Sequence, residues 1–402
     1  MDSYDVIVVG AGPGGATAAW KSAEAGLRTL LLDRVPSLPR YKPCGGGIPA
    51  SLARDVEGLD PSAFRDLTVT RLRHSWKGRT PVSAEMTKAD GSPSEVWMVQ
   101  RPRFDHWLVE QARAAGAAIV LDARVSKLDL AGDPEVGSAD GRSWKSLHVI
   151  GADGAKGVVG ARAGLRLGKQ WGIAREMEIP FEAPESTAPW HPDLEPAACY
   201  LDYGTVRNGY SWIFPKAGCL SVGSGMLLPR KPADDVENGV GRVLLRAIVQ
   251  LLESVGLRYP EGADAPRLWA HPIPFWTGAE PLHTSDGKVL LVGDAAGVVQ
   301  PLFGEGIQYA VRSGQEAARG LAYGEPLGYT DRLKGLFADE FDAALRVGRL
   351  FHRTPWLSYR LGVKNPAGTR LVGRLMSGEA RLADLEARIV ERIRNPVGRS
   401  GS

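Results

Sequence analysis

The sequence predicts an α/β fold, α+β overall. A Rossmann-like nucleotide-binding domain is split by an inserted antiparallel-sheet domain and followed by a helical C-terminal segment. Three observations predict it. A glycine cluster, Gly10-Ala11-Gly12-Pro13-Gly14-Gly15, lies between an apolar β-branched run and an alanine-rich run. Short apolar runs recur far downstream, at 147–150 and 288–292. Between those two runs, from 171 to about 274, strand-like pieces alternate with turns.

The elements follow in order. Tyr4–Val9 reads as a buried strand ended by glycine. Gly14–Ala25 reads as a helix closed by Gly26, a residue suited to a C-cap. Arg28–Leu32 is a second apolar strand, and the whole makes a β-α-β unit of about 30 residues. Residues 35–49 hold four prolines and three glycines and read as loop. Asp105–Ala115 reads as a helix, Ala117–Leu121 as a strand, and Ile307–Ala322 as a helix. Because strands of the first type are spread along the chain, the nucleotide-binding domain is expected to be discontinuous, from 1–75, 100–170 and 275–330. A substrate-binding domain is expected from 76–99 and 171–274, and a basic helical segment from 331–402.

A chain of 402 residues, 44% hydrophobic and 24% charged, is ordinary for a folded protein of two domains. No run approaches the roughly 18 apolar residues of a spanning helix. Asp2 and Asp5 stand where a signal peptide carries basic residues. Three cysteines at irregular spacing suit reduced thiols and a cytoplasmic protein. The net charge of +3 does not point to nucleic acid. Its distribution is uneven, with twelve Lys/Arg against four Asp/Glu from 346 to 402. With Trp356, Leu357, Tyr359 and Leu361 interspersed, that segment suits peripheral contact with an anionic membrane, or else a set of solvated helix faces. No His/Cys/Asp cluster has metal-ligand spacing, so no metal is expected.

The glycine cluster matches G-x-G-x-x-G in the context the motif needs, after a strand and opening a helix. Gly10 permits the tight turn, and Gly12 lets the backbone approach a pyrophosphate facing the helix N-terminus. Gly15 allows close helix–strand packing. Asp33 follows about 20 residues on, where an acid takes ribose hydroxyls. The motif alone does not separate FAD from NAD. Two later segments do: Gly151-Ala152-Asp153-Gly154, and Val292-Gly293-Asp294 with Pro301-Leu302-Phe303-Gly304-Glu305-Gly306 before a helix.

Taken in order, these three fingerprints resemble the flavoprotein hydroxylase and prenyl reductase superfamily, with the para-hydroxybenzoate hydroxylase type of fold. The resemblance implies FAD, held by Gly10, Gly12, Gly15, Asp33 and Arg34, with Asp153 in the second fingerprint. It implies that Asp294 binds ribityl hydroxyls and that Gly304, Gly306 and Ile307 bring a helix N-terminus to the flavin pyrimidine. Arg101, ahead of Phe104-Asp105, resembles an arginine near the flavin. Val125, after Arg124, stands where the adenine packs.

Tyr41-Lys42-Pro43-Cys44-Gly45-Gly46-Gly47 resembles the Tyr-x-x-Cys-Gly-Gly segment of geranylgeranyl reductases. Tyr210-Ser211-Trp212-Ile213-Phe214-Pro215, with Gly223-Ser224-Gly225, resembles their substrate motif. The likeness covers residues 1 to about 325. It implies a prenyl reductase that adds hydride from reduced flavin to double bonds of an isoprenoid or lipid. NADPH or a reduced ferredoxin would serve as electron donor. Cys44 is the implied catalytic thiol. Tyr210, Trp212 and Phe214 alternate along one strand and would share a face, as a channel wall or as plain core. His271 is a further candidate proton donor, and the sequence offers no obvious strong acid. An aromatic hydroxylase or halogenase of the same fold is the alternative enzyme, against which the Cys-Gly-Gly-Gly segment speaks. A flavin-containing binding protein is the alternative outside catalysis.

Overall fold

A computed structural model describes residues 3–165, 170–181, 194–195, 197–228, 239–262 and 265–386. The last part of the basic segment, 387–402, lies outside them. The chain opens with β1 (Ser3–Val9), α1 (Pro13–Glu24) and β2 (Thr29–Leu32). After β3 (Gly47–Pro49) and α2 (Leu52–Asp55) come β4 (Arg65–Val69), β5 (Arg71–Trp76), β6 (Arg79–Glu85) and β7 (Val96–Val99). Then follow α3 (Arg101–Ala114), β8 (Ala118–Val120), β9 (Val125–Asp129), β10 (Glu135–Ser138), β11 (Ser143–Gly151) and α4 (Val159–Arg162). The middle supplies β12 (Gln170–Pro180), β13 (Ala198–Tyr203), β14 (Gly209–Lys216), β15 (Cys219–Leu228), α5 (Val240–Ser254) and β16 (Trp269–Phe275). The chain closes with β17 (Val289–Leu291), α6 (Gly293–Ala296), α7 (Ile307–Ala322), α8 (Tyr329–Arg353), α9 (Pro355–Ser358) and α10 (Pro366–Met376).

The first sheet has the order β8-β2-β1-β11-β10-β9, with β17 also pairing β11. Strands β8, β2, β1, β11 and β17 are parallel. Residues 6–8 and 30–32 have no exposed surface, as expected of strands covered on both faces. β11 divides its edge. Its first residues pair antiparallel with β10, and Val149–Gly151 pair with β17. A strand from residue 289 thereby completes a sheet begun at residue 3.

Helices α1 and α7 cross in backbone contact. A Cβ on Gly314 would stand 2.2 Å from the Gly14 carbonyl oxygen. This crossing fixes the N-terminus of α7 beside the glycine loop.

The second sheet has the order β16-β12-β15-β14-β13-β5-β6. It is antiparallel except where β5 runs parallel to β13. It begins at Arg71, ahead of residue 76, because β5 pairs with a strand more than 120 residues away. Strand β7, expected in the substrate domain, instead pairs β3 and β4 in a small third sheet. Alternation marks a strand but does not say which partner it takes. The prolyl loop 35–49 also differs in ending as strand β3, for the same reason.

Gly15 offers a direct check of the cradle. A Cβ there would lie 1.8 Å from the Gly10 carbonyl oxygen and 2.8 Å from the Ala152 Cβ. Gly15→Ala is expected to destabilise the fold by about 1–3 kcal/mol, the usual cost of overpacking. Urea unfolding followed by circular dichroism measures it; an unchanged midpoint would show that the cradle relaxes freely.

Candidate active site

The cofactor cradle is built from strand ends. Gly10, at φ +108°, makes the turn after β1. Asp33, at the end of β2, accepts from the Ala11 N–H at 2.6 Å and from the Val35 N–H at 3.0 Å. It therefore ties the glycine loop to β2 while remaining buried. Arg34 beside it is exposed. Gly12 has open space around it, with only the Arg40 guanidinium within reach of a Cβ, at 3.4 Å. Asp153 accepts from the Val158 and Val159 N–H groups at 2.6 and 2.9 Å. The Gly151–Asp153 turn packs on Gly10, whose Cβ would meet the Ala152 oxygen at 2.4 Å. In this geometry the second fingerprint shapes the loop. Val125 opens β9 at half-buried depth and does not line the cavity.

A cavity of about 230 Å³ lies between the start of α1, where Pro13 lines it, and the second sheet; Gly10, Gly12, Gly15, Asp33, Arg34 and Asp153 lie outside its lining. Among the predicted residues, Cys44, Arg101, Asp294, Gly304, Gly306, Ile307, Tyr210, Trp212 and Phe214 all line it. It thus joins four segments more than 50 residues apart in sequence: Cys44, Arg101, Tyr210–Phe214 and Asp294–Ile307. Gly304 leaves open space at its Cβ, and Gly306 sits 3.5 Å or more from its neighbours by the same measure. The start of α7 is therefore bare backbone facing the cavity, which suits a large planar group and an anion near the helix N-terminus. Gly45–Gly47, the N-terminus of α7 and the Asp294 carboxylate around one cavity, with the glycine turn after β1 beside it, fit FAD.

The Tyr210-Trp212-Phe214 face is real and directed at the cavity. Trp212 lies over β15, where a Cβ on Gly223 would meet its ring at 2.1 Å. The glycines of Gly223-Ser224-Gly225 make room for the indole, whose Nε1 donates to Ser221 Oγ at 3.3 Å. Phe214 packs against Gly45, with 2.9 Å from ring to a would-be Cβ. Tyr210 donates its hydroxyl to the Phe303 carbonyl, tying the aromatic strand to the loop before α7. The Cys-Gly-Gly loop and the aromatic strand are thus two sides of one packing arrangement.

Lys216 ends that strand, and sequence reasoning missed it. Its ammonium is buried, donates to the Cys44 carbonyl at 2.8 Å and pairs with Glu178 at 2.7 Å. Burial disfavours this cation, but Glu176 and Glu178 outweigh that and hold its pKa above the ordinary lysine value. Arg101 is also buried, with Asp105 as a bidentate partner at 2.7 and 2.8 Å, and lies beside the Cys44 side chain.

Asp294 is bracketed by Lys42 Nζ at 3.4 Å and His271 Nε2 at 3.3 Å. Burial opposes its ionisation; Lys42, His271 and Arg101 overcome that and hold its carboxyl well below the usual range. Burial lowers the His271 pKa despite Asp294. His271 is then neutral at pH 7, serving Asp294 as a hydrogen-bond donor.

Two carboxyls behave oppositely. Glu176 is 4% exposed and lines the cavity on the same β12 face as Gly172 and Ala174. Burial pushes it up to about 7, against Lys216 and the hydrogen bond from Ser221 Oγ at 3.0 Å. Glu305 is pushed up to about 8, again by burial, with Gln308 pulling the other way. No local pattern singles out Glu176, since Glu178 stands two residues on along the same strand face.

Asp294→Ala is expected to weaken FAD retention. Hydrogen bonds to charged groups contribute about 1.5–3 kcal/mol, so affinity should fall roughly 10- to 150-fold. Fluorescence titration of the apoprotein with FAD measures it, and unchanged affinity would remove Asp294 from the site.

Comparison with known proteins identifies the family. Residues 3–325 match the family model described as FAD binding domain. A geranylgeranyl diphosphate reductase of Rhodobacter capsulatus is 36% identical over 323 residues, covering 78% of this chain and 74% of that protein. A digeranylgeranylglycerophospholipid reductase of Methanocaldococcus jannaschii is 30% identical, covering 78% of this chain and 75% of that one. A geranylgeranyl bacteriochlorophyll reductase-like structure from Thermoplasma acidophilum shares the fold, with TM-score 0.72 at 21% identity and 96% coverage of both chains. The chain is an FAD-dependent oxidoreductase and belongs to the geranylgeranyl reductase family.

Proposed function

We propose that the protein saturates carbon–carbon double bonds of a geranylgeranyl-type or other polyprenyl chain. The observation that carries this reading is one cavity lined at one end by the cofactor residues and at the other by Tyr210, Trp212 and Phe214. Bound FAD, once reduced with electrons from NADPH or a ferredoxin, would supply the hydride. Gly10, Gly12, Gly15, Asp33 and Arg34 would hold the adenosine diphosphate portion with Val125, and Asp294 the ribityl chain. Gly304, Gly306 and Ile307 would set the positive end of α7 against charge gained on reduction, a favourable interaction of roughly 0.3–2 kcal/mol. The protein would work in the cytoplasm, with peripheral contact on a membrane.

Saturation also needs a proton, and we assign it to Glu176. That hydride would form one new C–H bond with its own electron pair. The alkene π pair forms the second C–H bond with the Glu176 proton, leaving a carboxylate. That carboxylate lies within the influence of Lys216 and Arg101. Cys44 then orients the alkene beside Arg101. Histidine-driven protonation is disfavoured, because His271 is held neutral and committed to Asp294.

Two measurements test this. Enzyme photoreduced without oxygen should be reoxidised by geranylgeranyl substrates, with product two mass units heavier per double bond, as one H₂ requires. The reoxidation rate should fall as pH rises through about 7, where Glu176 loses its proton. Glu176→Gln should lower the rate at least about tenfold, roughly 1.4 kcal/mol of barrier, and flatten that pH dependence. Dithionite reduction of the flavin should be unaffected. A wild-type pH profile retained in Glu176→Gln would place the acid elsewhere.

The second separates the wall from the thiol. Trp212→Ala should weaken chain binding by about 1–3 kcal/mol, raising KM and changing which double bond is reduced. Cys44→Ser nearly preserves volume and should lower product formation about tenfold with KM little changed. Identical kinetic signatures for both variants would show that Cys44 acts only as part of the wall.

A further inference from the structure

The C-terminal helices present a surface that the reduction chemistry does not use. Four large apolar side chains there stand in water: Leu350 at 68% exposure, Trp356 at 47%, Leu357 at 51% and Leu361 at 66%. They fall within twelve residues that span the end of α8, α9 and the π-helical turn Tyr359–Val363. Scattered exposed leucines need no explanation, but a cluster does.

The charge along this segment has one sign. Between Ala343 and Gly378 the chain has seven Lys/Arg and no Asp/Glu. Arg349, Arg353, Arg360 and Arg370 are exposed and make no ion pair among the described residues. Arg346, by contrast, is held by Glu386 at 2.7 Å. Arg349, Arg353 and Arg360 are interspersed with the four apolar side chains, and Arg370 follows on α10.

The patch is rigidly seated. Trp356 packs edge-on against Trp76 of β5 at 5.3 Å and stacks with Tyr359 at 6.3 Å. Tyr359 is fully buried and also contacts Trp76. The same helices reach the cavity, which Gly348 and His352 of α8 and Met376 of α10 help to line. An apolar, positively rimmed surface therefore adjoins an apolar cavity.

We propose that Leu350, Trp356, Leu357 and Leu361, rimmed by Arg349, Arg353, Arg360 and Arg370, dock the protein on an anionic lipid surface. The apolar side chains enter the acyl boundary, the guanidinium groups meet phosphate headgroups, and the cavity rim faces the bilayer. A protein partner would have to supply a matching acidic rim. A second copy of this chain cannot do so with the same patch, since a two-fold contact would set like charges against each other. The inference stands on surface chemistry alone and does not depend on alkene reduction.

The test is co-sedimentation of the FAD-loaded full chain with vesicles of phosphatidylcholine, with or without one-third phosphatidylglycerol. The wild type should bind the anionic vesicles at least tenfold more tightly, and 0.5 M salt should weaken that binding, since exposed charges are screened. L350S/L357S/L361S should lose at least tenfold in partitioning while keeping FAD content and melting temperature. R349Q/R353Q/R360Q should lose the preference for anionic vesicles, and Tyr323→Ser, an exposed aromatic outside the patch, should bind like the wild type. Equal partitioning of the leucine variant and wild type would overturn the proposal. So would light scattering that shows a wild-type dimer, made monomeric by the leucine variant, with no vesicle binding by either.

Discussion

A buried ammonium joins the two halves of this protein. Lys216 sits at the end of the aromatic strand, yet its Nζ holds the carbonyl of Cys44 in the loop that leaves the nucleotide-binding domain. An uncompensated charge at that depth would cost several kcal/mol, so the loop carbonyl and Glu178 must stay in place. Gly46, at φ +78°, lets the backbone pass within contact of the lysine stem. The position of Cys44, and through Gly45 that of Phe214, follows from this one arrangement.

The same burial divides the carboxylates of the cavity into two kinds. Asp294 has Lys42, His271 and Arg101 close by, so it stays ionised and can accept hydrogen bonds from hydroxyl groups. Glu176 has cations near but is more completely enclosed, and its proton is retained to about pH 7. Both outcomes obey one rule: desolvation favours the neutral acid until opposite charge outweighs it. One cavity can therefore fix a polar cofactor chain at one end and keep a proton available beside an apolar wall.

Close backbone approach sets the rest of the geometry. Gly15 against Gly10, Gly314 against Gly14 and Gly223 beneath Trp212 each leave less than a methyl group of space. These contacts bring α7 to the cradle and the indole to the cavity. No helix among the described residues is long and apolar enough to cross a membrane, and the exposed leucines of the C-terminal segment lie at the end of α8, on α9 and on a π turn.

The sequence by itself determined the elements whose pattern is local. The glycine cluster, its flanking strand and helix, Asp33, and the helix Ile307–Ala322 could all be read because backbone turns and apolar periodicity are written in neighbouring residues. The alternation of Tyr210, Trp212 and Phe214 announced a shared face for the same reason. Only the tertiary structure decided what those faces meet. That β5 pairs β13, that β7 leaves for a third sheet, and that Lys216 reaches Cys44 across 172 residues are pairings between distant segments, which no local pattern encodes. Nor could the sequence distinguish Glu176 from any other glutamate, because its retained proton comes from burial, and burial exists only once the sheet has closed over it.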